Sequence, residues 1–218
     1  MICITINGIE VFIEESEKYV QTNDIAGSDL PAMWETLRNR FPGYELTLCY
    51  HNMEPPIDAL TSIGAAVLED CLEMNVTQPD FKPYENINVN PLEKTAFEEF
   101  SSLHSTVNPE CGVTSQLIWN KWDKHPVFTL YKDSGIIGYS IISLNMRDET
   151  IGEIYAVYAD NQENRKALLS AVTACAFENN KTQVIYMVDR GNADDYETAT
   201  ALGYKEVGYY IGYHVKNI

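Results

Sequence analysis

Basic residues are scarce in this sequence. The 218-residue chain has 15 Lys and Arg against 32 Asp and Glu, a formal net charge of −17. A surface of that sign repels phosphate backbones and anionic lipid, which argues against nucleic acid or a membrane as partner. The excess is uneven: residues 1–89 hold 15 acids and 4 bases, residues 90–218 hold 17 and 11. Solubility alone accounts for it, and a sharper reading is attraction of a cationic amine. No stretch approaches the roughly 20 consecutive apolar residues that span a bilayer. The opening MICITINGIE has no basic segment followed by an apolar run, so no signal peptide is expected. The five cysteines (Cys3, Cys49, Cys71, Cys111, Cys175) show no C-x-x-C spacing. They read as buried free thiols in a reducing, cytoplasmic setting. The four histidines stand far apart, so no metal site is expected.

What is present is an ordinary globular composition, 45% hydrophobic, with clear punctuation. Leu92–Ser105 carries Leu92, Ala96, Phe97, Phe100 and Leu103 on one helical stripe. Thr114–Lys124 predicts a second helix, followed by Pro126. Strands are expected at Val127–Lys132 and Ile136–Leu144, joined by a turn at Asp133, Ser134 and Gly135. Thr150–Tyr158 predicts a third strand, Gln162–Asn180 a helix, and Gln183–Val188 a fourth strand. Asp194–Leu202 predicts a short helix stopped by Gly203, and Val207–Val215 a closing strand rich in tyrosine. The order α-α-β-β-β-α-β-α-β places an α/β (α+β) fold: a mixed, mostly antiparallel sheet flanked by helices. The strand-helix-strand from 150 to 188 should be a right-handed parallel crossover.

The first 78 residues repeat the second half of that plan at an offset of 139. Gly8–Glu15 lies over the strand at 150–158, and Leu30–Phe41 over the end of the long helix. Tyr44–His51 lies over the strand at 183–188, and Gly64 over Gly203. Val67–Val76 lies over the closing strand. Residues 1–78 therefore form a half domain and 79–89, with its prolines and asparagines, a linker to a domain at 90–218. Exposed strand edges in residues 1–78 could pair with a second copy of the chain, giving a homodimer.

One segment, YAVYADNQENRKALLSAV (Tyr155–Val172), runs from strand through polar loop into helix without a glycine. Another, NADDYETATALGY (Asn192–Tyr204), runs from an asparagine after a strand through a short helix to a glycine and an aromatic. The second is similar to a segment of the GNAT superfamily, the acetyl-CoA-dependent N-acetyltransferases, in which the asparagine and a Gly-Phe pair have the same separation. The whole plan of residues 90–218 resembles that superfamily, and residues 1–78 look like a truncated second copy without the first two helices and first two strands.

The resemblance implies a GNAT-type acyl-CoA N-acyltransferase fold, acetyl-CoA as co-substrate, and a small-molecule primary amine as acceptor. It implies that backbone groups of Tyr155, Ala156 and Val157 pair with the pantetheine arm. It places the pyrophosphate loop, usually Gln/Arg-x-x-Gly-x-Gly/Ala, at Gln162 to Ala167. There Gln162 and Ala167 fit, Arg165 replaces the first glycine, and Glu163 adds a negative charge. Glycines let the chain approach phosphates closely while N–H groups of the helix start point at them. Either Arg165 and Lys166 supply charge in place of that geometry, or the loop has lost its ligand and these bases offset Asp160 and Glu163. Asp160 or Asn161 is a suitable N-cap in both cases. The resemblance also implies Glu153 as general base and Asn192 as a contact to the pantetheine arm or a helix cap. The position of the family's donor tyrosine is Ala199, so Tyr196, one turn earlier, is the substitute candidate for general acid. Tyr209, Tyr210 and Tyr213 are candidates for packing or for lining an acceptor pocket. The corresponding loop of the first half, Ser16–Asp29, carries Glu17, Asp24 and Asp29 against Lys18. It should bind no cofactor, leaving residues 1–78 as a scaffold. The competing reading of the whole is a catalytically silent GNAT-like module that binds a ligand or protein.

Overall fold

A computed structural model describes residues 2–84, 88–109, 111–132, 135–216 and 218. The expected turn at Asp133 and Ser134, and residues 85–87 of the expected linker, lie outside the described residues. The chain divides into two compact units, residues 1–72 with 208–218, and residues 73–207.

The first unit opens with a hairpin. β1 (Ile2–Ile6) pairs antiparallel with β2 (Ile9–Glu14). Asn7 and Gly8 between them both have positive φ, 51° and 82°, as a two-residue turn matched to strand twist requires. β2 pairs antiparallel with β3 (Tyr19–Asn23), which pairs parallel with β4 (Glu45–His51). The crossover is α1 (Leu30–Arg40), with Pro31 in its first turn, where a missing N–H costs nothing. A short α2 (Ile57–Ser62) leads into β5 (Ala66–Thr77). β4 also pairs antiparallel with the later part of β11 (Lys205–Val215). Alternate residues Val20, Leu46, Leu48, Tyr213 and Val215 pack against Leu30, Met33 and Leu37 of α1. The expected strand at 8–15 is thus one arm of a hairpin. The strand that pairs parallel with β4 through the α1 crossover is β3, and the hairpin of β1 and β2 precedes it.

The second unit orders its strands β6 (Val89–Pro91), β7 (Val127–Lys132), β8 (Gly135–Ser143), β9 (Ile151–Ala159) and β10 (Gln183–Asp189), followed by the end of β5. β6 to β9 pair antiparallel, and β9 with β10 parallel through α5 (Gln162–Glu178). α5 and α6 (Ala193–Ala201) cover one face, with Leu169, Val172, Ala176 and Ala199 against Ile142, Ile154, Val184 and Tyr186. α3 (Phe97–Val107) and α4 (Ser115–Asn120) cover the other, with Phe100 and Ile118 against Tyr139, Ile141 and Ala156. Gly152 permits the close approach of α5: a Cβ there would stand 3.3 Å from the Ala176 Cβ and 3.2 Å from Ile142. Gly203 ends α6 at φ 96°, and a Cβ there would meet the Asp80 carbonyl oxygen at 2.2 Å, so both conformation and space demand glycine.

The segment expected as a linker packs on α5. Phe81 meets Phe177 at 5.6 Å between ring centroids, and the Tyr84 N–H donates to Ser170 Oγ at 2.8 Å. All five cysteines are free; Cys49 and Cys71 are buried as expected, whereas Cys111 and Cys175 are half-buried and Cys3, on β1, is exposed.

Candidate functional site

The site begins where β9 stops behaving as a regular strand. On its β8 side Ile141 stands opposite Ala156, but the next residue, Ile142, stands opposite Ile154. Tyr155 is the extra residue of a β-bulge, and its side chain is 39% exposed. A bulge moves every later residue to the opposite face. Ile154 accordingly packs with α5, whereas Ala156 and Tyr158 pack toward α3 and α4, and Val157 turns back toward α5. On its other side β9 is in parallel register with β10 only from Ile151 opposite Gln183 to Ile154 opposite Tyr186. Both strands continue, β9 to Ala159 and β10 to Asp189. The result is a wedge starting at the bulge and opening toward the C-terminal ends of two parallel strands, where α/β sheets place ligands. Tyr155, Ala156 and Val157 lie together on its β9 side. The Cys111 Sγ stands 4.0 Å from the Tyr155 carbonyl oxygen.

The starts of α5 and α6 stand at the wedge mouth, since each helix follows one of its strands. α5 starts at Gln162, so Gln162, Glu163, Asn164, Arg165, Lys166 and Ala167 are helical rather than an open cradle. The cap is Asn161: its side-chain oxygen accepts the Asn164 N–H at 2.9 Å, and its carbonyl accepts the Arg165 N–H at 3.0 Å. Two of the N–H groups expected to face phosphate are therefore engaged within the chain. Asp160 accepts from the side chains of Asn161 and Asn164 at 2.9 and 2.7 Å. Glu163 accepts a hydrogen bond from the Tyr84 hydroxyl. Lys166 Nζ lies 4.7 Å from the Tyr84 ring centroid. Ala167 is buried.

Arg165 turns to α6. Its Nε stands 2.8 Å from Asp195 Oδ1 and its Nη1 3.6 Å from Asp194 Oδ2. Asp195 Oδ2 accepts from Tyr186 Oη at 3.1 Å and from Asn192 Nδ2 at 2.8 Å. Burial pushes the Asp195 carboxyl above the usual carboxylate range, against the pull of Arg165. Burial and the neighbouring Asp195 likewise hold the Tyr186 hydroxyl far above the usual phenol range. Asn192 also caps α6, accepting the Asp195 N–H at 3.1 Å. Gln162 Nε2 reaches Glu197 Oε2 at 3.5 Å, a second tie between the two helix starts.

Glu153 lies half-buried on β9, two residues before the bulge, between Ser143 and Ile185 in register. Tyr196 is on α6 and 37% exposed; Ala199, one turn on, is fully buried. Tyr209, Tyr210 and Tyr213 belong to the first unit, where Tyr213 is buried and the Tyr210 hydroxyl meets Cys49 Sγ at 3.3 Å. Among the described residues no group of three or more His, Cys, Asp or Glu is arranged to hold a metal ion, and no helix is long and apolar enough to cross a membrane. Sequence reasoning missed Tyr84 because it sits among linker-like residues, and missed Asp195 because its partner is distant in sequence. The adjacent acids Asp194 and Asp195, one turn after the Asn192 cap, were the available signal.

No protein-family profile matches the sequence, and no curated protein does. Solved structures do match. A GCN5-related N-acetyltransferase from Kribbella flavida has a TM-score of 0.71 at 13% identity, covering 97% of this chain and 88% of its own. One from Sphaerobacter thermophilus has a TM-score of 0.63 at 13% identity, covering 95% and 76%. A tandem GNAT protein from the clavulanic acid biosynthesis pathway has a TM-score of 0.60 at 10% identity, covering 96% and 78%. The mixed, mostly antiparallel sheet with its flanking helices is the fold of the GCN5-related N-acetyltransferases.

Proposed function

We propose that the second unit is an N-acetyltransferase that moves an acetyl group from acetyl-CoA to the primary amine of a small molecule. The observation that carries this is the wedge: a bulge at Tyr155 where the parallel register between β9 and β10 ends. Such an opening takes an extended, amide-bearing chain such as pantetheine in a sheet-like manner. Tyr155, Ala156 and Val157 supply the backbone on one wall. Asn192, at the start of α6, faces the same arm. Gln162, Arg165, Lys166 and Ala167 are the candidates for its phosphates.

Acetyl-CoA brings an activated thioester. Glu153 takes a proton from the acceptor ammonium, leaving a neutral nitrogen lone pair. That nitrogen bonds to the thioester carbonyl carbon, the carbon–sulfur bond breaks, and the departing sulfur takes the Tyr196 proton. The nitrogen's surplus proton passes to the Tyr196 oxygen, leaving a neutral amide and the free CoA thiol. Tyr196 is the substitute donor although it sits about 5 Å along the helix axis from the Ala199 position. The acidic surface favours a cationic amine as acceptor.

Thermal melting with and without millimolar acetyl-CoA tests the binding. Ligand at 100 times its Kd adds about 2.7 kcal/mol of stability. Release of free thiol with a panel of small amines tests turnover, and Glu153→Gln should lower kcat more than it changes the acetyl-CoA Kd. The capped start of α5, together with Ala199, favours a second reading: a silent GNAT-like module. A melting shift without thiol release for any amine would select it. No shift with either acetyl-CoA or pantetheine would remove the wedge as a donor site.

A further inference from the structure

Arg165 stands in the first turns of α5, where the phosphates are proposed to lie, yet in this structure it serves α6. Its Nε and Asp195 Oδ1 are buried and 2.8 Å apart, and neither completes a well-aligned hydrogen bond. The side chains of Arg165 and Asp195 are 19% and 14% exposed. Asp195 is fixed from behind by Tyr186 and Asn192, so it presents one oxygen to Arg165 in a set position. Gln162 and Glu197 add a second tie between the same two helices. The strands leading into these helices are those that separate beyond Ile154 and Tyr186. The ties thus cross the open end of the wedge, where an arm leaving it would pass.

We propose that Asp195 is a specificity-determining residue for the donor: it clasps Arg165 across the wedge mouth and gives it up only to a ligand carrying a diphosphate there. The inference rests on the donor reading of the wedge. A guanidinium binds carboxylate or phosphate through the same planar fork, so the two compete for it. A poorly aligned carboxylate partner yields to a diphosphate that can accept two parallel N–H bonds. Because Asn164 and Arg165 N–H are already taken by Asn161, the helix start contributes less than a glycine cradle would. Arg165 then carries most of the selection for a charged donor, and Asp195 sets how much of it is available.

The test is calorimetric titration of CoA, and of pantetheine as the same arm without phosphates, at one fixed salt concentration. Asp195→Asn keeps the shape of the side chain and its bonds to Tyr186 and Asn192 while removing the competing charge. It should bind CoA at least tenfold more tightly than the unaltered protein, with pantetheine unchanged. Adding Arg165→Gln should erase the gain. Arg165→Gln alone, which keeps a polar side chain on a helix, should weaken CoA and leave pantetheine as it was. This variant keeps the test open if Asp195→Asn folds poorly. If the unaltered protein binds CoA and Asp195→Asn binds it equally, or if Arg165→Gln binds it as well or better, the clasp is wrong while the donor reading stands. If neither CoA nor pantetheine binds any of these proteins, the donor reading falls and the clasp falls with it.

Discussion

His104 shows how one buried side chain ties a helix to the sheet and makes stability depend on pH. Its Nε2 lies 3.0 Å from the Val113 carbonyl oxygen and its Nδ1 2.8 Å from the Tyr139 hydroxyl. The hydroxyl oxygen accepts from Asn108 Nδ2 at 2.7 Å. The neutral tautomer with hydrogen on Nε2 satisfies all three: it donates to Val113 and accepts from Tyr139. A second proton on Nδ1 would face that hydroxyl hydrogen, in a site stacked on Phe100 at 5.5 Å. Burial lowers the His104 pKa, and burial followed by the nearby Lys121 lowers that of His125. The unfolded chain therefore binds more protons below the ordinary histidine value of about 6.5. Stability is fully present above that value and is lost as pH falls through the lowered folded values. Melting temperature should drop between pH 7.5 and pH 5. His104→Phe should be destabilised by about 1–3 kcal/mol at pH 7, since Tyr139 and Val113 lose a partner, and its pH slope should be shallower. A slope identical to that of the unaltered protein would assign the titration elsewhere. Nothing in the sequence singled out this histidine, because its partners are 9 and 35 residues away.

Among elements, what could be read ahead was whatever leaves a local period. The two helices after Leu92, the long helix from Gln162 and the strands around it fall within a few residues of their expected ends, because apolar spacing and flanking glycines and prolines encode them. The hairpin at the start is encoded as well, by Asn7-Gly8 between two alternating runs, although the 139-residue offset picks out only its second arm. The bulge at Tyr155 leaves no mark in the strand's own residues, and only the resemblance points to exposed backbone at Tyr155, Ala156 and Val157. The run IGEIYAVYA is continuously apolar from Ile154 on, so no period marks an extra residue, and only pairing with β8 shows it. The start of α5 lay between these extremes: the missing glycines announced an altered loop and Asp160 or Asn161 was legible as its cap, but not which of the two closes it. That cap carries its own prediction. Asn161→Ala removes the acceptor for the Asn164 N–H and should destabilise the protein by about 1 kcal/mol in urea unfolding. An unchanged midpoint would mean that water replaces the cap without loss.

At the scale of the molecule, the end of the chain decides how it can be cut. The sequence suggested a half domain ending at 78 and a domain from 90, with the closing strand in the latter. In the structure residues 208–218 group with residues 1–72. The Ile218 N–H donates to the Tyr44 carbonyl at 2.9 Å, and the Gly43 N–H to the Ile218 carbonyl at 2.7 Å. Tyr213, Val215 and Ile218 are buried among Leu37, Leu46, Leu48 and Tyr50. No local pattern records this, because Val207–Val215 alternates as any closing strand does and its partner β4 lies more than 150 residues earlier. A fragment of residues 79–218 would carry that strand without β4, leaving three apolar side chains in water and an unpaired edge. Its expected behaviour is self-association, read by light scattering after size exclusion. A fragment of residues 73–207 removes the orphaned strand and should elute as a smaller, less associated species. If the longer fragment is instead monomeric and melts as sharply as the full chain, the closing strand finds its stabilising contacts within residues 79–218. The division into two units would then have to be redrawn around the sequence boundary.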